Sequence, residues 1–238
     1  MRTEPDRTRL PDGLGVLARL DSGRSLPELT AAVNEFCEEA ENLSSGTVAV
    51  LRVLPAPPRR REWPGDVSIQ EVNRWERAVR RLERLDTVSI TAAQGTCDGL
   101  VLDLLLAADF RIGTPDLKLK LPVNDGHFWP GMSVYRLVRH LGLARARRIV
   151  LWGTDIPLGE ATDLGLVDQV SDDLTEGIHT AAVSRGRLSD RETRIRRLLL
   201  QEAASAEYDD ALGAHIAACD RELRRLRTPG GPAAPGSP

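Results

Sequence analysis

With 238 residues, 41% of them hydrophobic and only 4% aromatic, the chain is long enough for one sizeable α/β domain with an aliphatic core. Its formal net charge of −3 argues against a general nucleic-acid binder, which presents a strongly basic face. Cys37, Cys97 and Cys219 are odd in number, widely spaced and without zinc-ligand spacing; no stretch approaches the roughly 18 apolar residues of a membrane span, and no apolar targeting segment opens the chain, so a soluble cytoplasmic protein with no metal and no membrane partner is expected.

After a polar leader, positions 15–20 predict a strand, and Ser25 with Glu28 has the capping-box spacing that opens a helix to about Asn42. Alternating, β-branched residues predict a strand over 47–54, and Pro55-Ala56-Pro57-Pro58 a loop. A helix resumes at Ser68, with Val72, Trp75, Val79 and Leu82 on one face and alternating Arg and Glu assigned to solvent. Strand 86–93 runs into the turn Gly95-Thr96-Cys97-Asp98-Gly99 and then an apolar helix, followed by a short strand at Phe110-Arg111-Ile112 and a strictly alternating one at 117–121. His127, Phe128 and Trp129 fall in a loop over 124–131; helices are predicted over 133–140, 144–152 and 158–164. Strands recurring between helices indicate a layered α/β fold over residues 14–170. From 171 to 227 the sequence reads as a C-terminal helical, oligomerising region, and residues 1–13 and 228–238 as flexible tails.

The most informative residue is Asp103, within Leu100-Val101-Leu102-Asp103-Leu104-Leu105-Leu106. A carboxylate in such a run is costly unless it is paired or neutralised, so the helix either hides a structural pair or presents an acid to a cavity. The glycine turn before it leaves backbone N–H groups free at a helix start, which suits a developing negative charge about one turn from the acid. Asp98 fits a turn or cap, Cys97 has no persuasive catalytic partner, and His127 is balanced between plain exposure and acid–base work near neutrality.

These segments also resemble those of the enoyl-CoA hydratase/isomerase, or crotonase, family. Ile90-Thr91-Ala92-Ala93-Gln94-Gly95 through Gly99 to Asp109-Phe110-Arg111-Ile112, then Leu119-Lys120-Leu121-Pro122, Trp129-Pro130-Gly131-Met132 with Tyr135-Arg136-Leu137, Leu151-Trp152-Gly153-Thr154 and Ala161-Thr162-Asp163-Leu164-Gly165-Leu166-Val167-Asp168 look like successive family blocks in order. The resemblance spans roughly 14 to 226 and implies a ClpP/crotonase ββα spiral, a homo-trimer or hexamer, and chemistry on an acyl-CoA thioester whose oxygen is held by two backbone N–H groups. Those amides fall on Leu100 and near Gly65. The family's first catalytic Glu falls on Asp103 and its second on Val123, which transfers no proton, so Asp125 or His127 is the candidate second group. Val123, Phe128 and Trp129 fall on the acyl pocket, where the two aromatics serve packing or hold a flat acyl group.

Short length, an Asp-Gly turn in place of a glycine triplet, Leu121-Pro122-Val123 and Trp129-Pro130-Gly131-Met132 together look like the hydratase-like subunits of 3,5-dihydroxyphenylglycine biosynthesis in glycopeptide-antibiotic producers. That resemblance implies a lyase helping to convert a cyclised polyketide CoA thioester into 3,5-dihydroxyphenylacetyl-CoA, or an accessory subunit, beside a type III polyketide synthase and a second hydratase. No nicotinamide, flavin or phosphate-cradling motif is present, so no cofactor is expected beyond the CoA of the substrate.

Overall fold

The computed structural model describes residues 6–55, 65–97, 99–121, 123–124, 127–153, 155–185 and 188–227. The chain divides into two compact units, Met1–Asp190 and Arg191–Pro238. In chain order the elements are β1 (Arg7–Arg9), β2 (Gly15–Asp21), α1 (Leu26–Glu41), β3 (Val48–Leu54), α2 (Ile69–Leu82), β4 (Val88–Ala93), β5 (Thr96–Cys97), α3 (Leu100–Ala107), β6 (Phe110–Gly113), β7 (Lys118–Leu119), β8 (Val123–Asn124), β9 (His127–Phe128), α4 (Ser133–Trp152), β10 (Ile156–Pro157), α5 (Leu158–Asp163), β11 (Gln169–Val170), α6 (Leu174–Arg185), α7 (Asp190–Ala203) and α8 (Tyr208–Arg227). No described helix is long and apolar enough to cross a membrane.

The first unit is organised by a six-stranded sheet in the order β1-β2-β3-β4-β6-β11, parallel from β2 onward with β1 antiparallel at the edge. Parallel neighbours need crossovers, and α1, α2 and α3 supply them in turn. Such a sheet is buried on both faces, and the strand period of two sorts its side chains accordingly. Ala49, Leu51 and Val53 of β3 join one core with Leu29, Val33 and Phe36 of α1, Trp75 and Val79 of α2, and Leu102, Leu104 and Leu105 of α3. Val48 and Val50 join the other with Ile90 and Ala92 of β4 and Leu174, Ile178 and Ala181 of α6.

Polar ties fix α3 on this frame. Thr91 Oγ1 of β4 donates to the Leu104 carbonyl at 3.3 Å, while the Ser89 N–H and hydroxyl donate to Asp109 Oδ2 at 2.9 and 3.0 Å. The expected capping boxes at Ser25/Glu28 and Ser68/Glu71 are present and start α1 and α2.

Four segments differ from the sequence expectation. Arg7–Arg9, read as part of a flexible leader, forms β1, because an edge strand is held by backbone pairing and tolerates charged side chains. Residues 171–190, assigned to the C-terminal region, belong to the first unit: the apolar stripe of α6 packs on the sheet, and the division falls after Asp190. The strand expected over 117–121 shortens to β7, and the expected loop after it carries the β8–β9 hairpin. The two helices expected over 133–152 are one element, α4, broken at Gly142 (φ 74, ψ 161). The tail 228–238 lies outside the described residues.

Gly15 marks where β2 and β3 are tightest: at φ 147, an added Cβ would stand 1.8 Å from the Val48 carbonyl oxygen. Gly15→Ala is therefore expected to cost about 3 kcal/mol or more, whereas Gly13→Ala, at φ 68 in open space, costs about 1 kcal/mol from conformation alone. Urea unfolding midpoints of the two variants check the difference.

Candidate active site

Helix α3 starts directly after Gly99, whose φ of 49 and ψ of −110 suit glycine alone. The Leu100 amide is the first of the helix and has no acceptor within it, so it stands at the positive end of the helix dipole. The helical ladder begins with the Asp103 N–H donating to the Gly99 carbonyl at 3.4 Å. Amide and acid are thus one turn apart on a segment whose apolar side chains clamp it in the core.

Asp103 is only 7% exposed, and its Oδ1 accepts from Arg136 Nη1 at 2.8 Å. Arg136, 5% exposed near the start of α4, also reaches α2: its Nη1 donates to Glu76 Oε2 at 3.2 Å and its Nε to Glu83 Oε1 at 2.6 Å. One buried cation therefore faces three carboxylates from two helices. Glu83 takes a further bond from Arg80 Nη1 at 2.6 Å, and Glu76 Oε1 accepts the Met132 N–H at 3.3 Å.

Burial, reinforced by the charge of Glu76, pushes the Asp103 carboxyl up to about 7 against the pull of Arg136. The buried indole N–H of Trp75, without a close acceptor of its own, adds a weaker pull on the same group. Burial works against the Arg136 cation too, but Asp103, Glu83 and Glu76 outweigh it and hold its pKa above the ordinary arginine value. Burial is the largest of these influences, and it leaves the Asp103 carboxyl partly protonated near neutrality.

Outside this cluster lies a groove of about 570 Å³ between α2 and the start of α4. Ile69, Val72, Met132 and Tyr135 form its apolar sides, and Glu76, Glu83 and Arg136 its charged floor.

The structure brings Asp103 together with residues the sequence reading did not single out, and separates it from others. Among the described residues, His127, Phe128 and Trp129 do not line the groove. His127 is exposed on β9, whereas Phe128 is half-buried against the first core and Trp129 half-buried beyond it. The backbone of Val123 pairs with that of Phe128, and Asp125 lies outside the described residues, as does Asp98. Gly65 is exposed at φ 85, three residues before the Ser68 cap of α2. His140 serves the fold: its Nε2 lies 2.8 Å from the Leu106 carbonyl, and burial lowers its pKa. Burial likewise pushes the Cys37 thiol up to about 12, which leaves it inert. Among the described residues no group of three His, Cys, Asp or Glu side chains could hold a metal ion.

Arg136, Glu76 and Glu83 are the polar residues that sequence reasoning passed over. The signal was the spacing: Val72, Glu76, Val79 and Glu83 fall at i, i+4, i+7 and i+11, so both acids continue an apolar stripe instead of the solvent face.

The profile of the family described as Enoyl-CoA hydratase/isomerase matches residues 69–226. A protein of Amycolatopsis orientalis named enoyl-CoA-hydratase is 44% identical over 214 residues, covering 90% of this chain and 98% of that one. The structure of an enoyl-CoA hydratase/isomerase from Marinobacter aquaeolei matches with a TM-score of 0.72 at 20% identity, over 91% of this chain and 89% of that one. A protein of Thermobifida fusca YX assigned as an enoyl-CoA hydratase, in complex with acetoacetyl-CoA, matches with a TM-score of 0.69 at 20% identity, over 93% and 96%. The α/β architecture with its C-terminal helices is the crotonase fold. The chain belongs to the enoyl-CoA hydratase/isomerase family.

The proton on Asp103 has a consequence for stability. An acid whose folded pKa is raised contributes fully below its unfolded value, ordinarily 3.8, and loses that contribution as pH rises through about 7. Across that window Asp103 withdraws stability with a slope approaching about 1.4 kcal/mol per pH unit. Asp103→Asn needs no proton, so the difference between wild-type and variant unfolding free energies, measured in urea from pH 4 to 8, should change steadily through the window. Parallel curves would show that Asp103 ionises like an ordinary carboxylate.

Proposed function

We propose that this chain is a dehydratase-type lyase acting on an acyl-CoA thioester, and that its role resembles that of DpgB, the hydratase-like subunit of 3,5-dihydroxyphenylglycine biosynthesis. The observation that carries the reading is the juxtaposition at α3 of a helix-starting amide at Leu100 and, one turn on, a buried carboxyl whose pKa burial pushes up to about 7. The thioester oxygen would accept from the Leu100 N–H and from an amide of the Gly65 region, so the charge of an enolate is met where it develops. Loss of an activated C–H proton forms that enolate; expulsion of hydroxide then forms the double bond, and the Asp103 carboxyl protonates the hydroxide to water. For a cyclised eight-carbon polyketide, aromatisation to 3,5-dihydroxyphenylacetyl-CoA drives the step. On the family resemblance, Phe128 and Trp129 are assigned to the acyl group and His127 or Asp125 to a second proton transfer. Support for a CoA thioester comes from the Amycolatopsis orientalis relative, named a hydratase, and from the acetoacetyl-CoA bound to the Thermobifida fusca protein. The same reading takes the chain as a homo-trimer or hexamer working beside a type III polyketide synthase and a second hydratase, with no cofactor beyond the CoA itself.

An accessory role is the second reading, favoured by one observation: Asp103 Oδ1 is engaged by Arg136, and position 123 carries no carboxylate. Mass spectrometry of synthase products with and without this chain separates the two. For the enzyme, Asp103→Asn lowers formation of the dehydrated product by about two to four orders of magnitude while the variant stays folded, and crotonyl-CoA hydration by wild type is poor because Val123 replaces an acid. If the folded Asn variant supports full product formation, Asp103 has no chemical role and the accessory reading stands. Efficient crotonyl-CoA hydration would overturn the specialised substrate.

A further inference from the structure

Three acids meet Arg136, and their geometry gives them different freedoms. Glu83 is held most firmly, by two bonds of 2.6 Å from Arg136 Nε and Arg80 Nη1, one on each oxygen. Asp103 is the most deeply placed and takes a 2.8 Å bond from Arg136. Glu76 is the loosest: its bonds from Arg136 Nη1 and the Met132 N–H are 3.2 and 3.3 Å, and of the three acids its side chain is the most accessible, at 20%. It lines the groove, whose neighbouring walls are Val72 and Met132.

Asp103 Oδ1 and Glu76 Oε2 accept from the same nitrogen, Arg136 Nη1, so they lie within about 6 Å of one another. Two carboxyl groups at that separation, one enclosed and one open to a cavity, form an arrangement in which environment assigns opposite acid–base roles. Burial pushes the enclosed member up to about 7; the open member accepts hydrogen bonds on both oxygens.

We infer that Glu76 is the second acid–base carboxylate of this site. The inference rests on the acyl-CoA dehydratase reading and names its base. Glu76 removes the C–H proton adjacent to the thioester carbonyl, and the electron pair of that bond becomes the enolate. The enolate collapses to a double bond as the C–O bond breaks, and the departing hydroxide takes the Asp103 proton and leaves as water. Glu76 then holds one proton and Asp103 none. Loss of the Glu76 proton to solvent and uptake of one by Asp103 resets the pair.

The two roles separate in experiment, because proton exchange needs only the base whereas dehydration needs base and acid. The probe is 3,5-dihydroxyphenylacetyl-CoA in deuterium oxide, with exchange at its C2 followed by NMR and its binding followed by calorimetry. Wild type should bind and exchange. Glu76→Gln should lose exchange by about 10²- to 10⁴-fold with affinity unchanged within about threefold. Glu76→Asp, which preserves a carboxylate, should exchange at a reduced but measurable rate and keeps the test decisive if the Gln variant folds poorly. Exchange that survives in folded Glu76→Gln overturns Glu76 as the base while leaving the dehydratase reading intact. Wild type that binds without exchanging also overturns it. Wild type that does not bind the thioester overturns the dehydratase reading itself, and the assignment of Glu76 with it.

Discussion

The site depends on Arg136. Its guanidinium is the only described cation bonded to Asp103, and through Glu76 and Glu83 it also ties α4 to α2. Removing such a charge from water costs several kcal/mol, which good geometry and multiple hydrogen bonds must offset. Glu83 and Asp103 supply the short bonds, and the planar fork of arginine lets one side chain serve both helices. A lysine at this position would offer a point charge and lose the separate Nε and Nη1 directions. Truncating Arg136 would leave three acids facing one another around the buried Asp103, a situation that typically costs 3–5 kcal/mol.

The same constraint sets the chemistry. In a cluster with fewer cations than anions, protonation is decided by depth, and Asp103 is deepest. Its helix is also tied to the sheet, through the bond from Thr91 to the Leu104 carbonyl. Burial is what raises its pKa, since Asp103 is only 7% exposed on a helix whose leucines are packed in the core. Fold and acid strength therefore share one origin. The glycine at position 99, free to adopt a dihedral pair closed to other residues, places the helix-starting amide next to that acid without a glycine triplet.

Much of this was legible before the structure. Strand and helix periods identified a layered α/β fold with strands recurring between helices, because each buried face repeats at its element's own period. Asp103 was legible as an acid that had to be paired or neutralised, and the structure pairs it with Arg136. Its partner was not, since Arg136 lies 33 residues away on another helix and looks in sequence like one more arginine in an Arg-rich chain. Glu76 and Glu83 were assigned to solvent because Arg and Glu alternate along α2, although their spacing continues the Val72 and Val79 stripe. β1 was invisible for a different reason: its pairing is made by backbone alone, and Arg7-Thr8-Arg9 carries no hydrophobic pattern.

The central claim is that Asp103 holds a proton near neutral pH beside the start of α3. The most direct measurement is the carboxyl 13C NMR titration of Asp103 in protein labelled at aspartate, with Asp103→Asn used to assign the resonance. A midpoint near 7, well above the ordinary 3.8, is the result expected from its burial within the Arg136 cluster. A midpoint below about 5 would mean that Arg136 keeps Asp103 fully ionised, and would contradict its role as the proton donor.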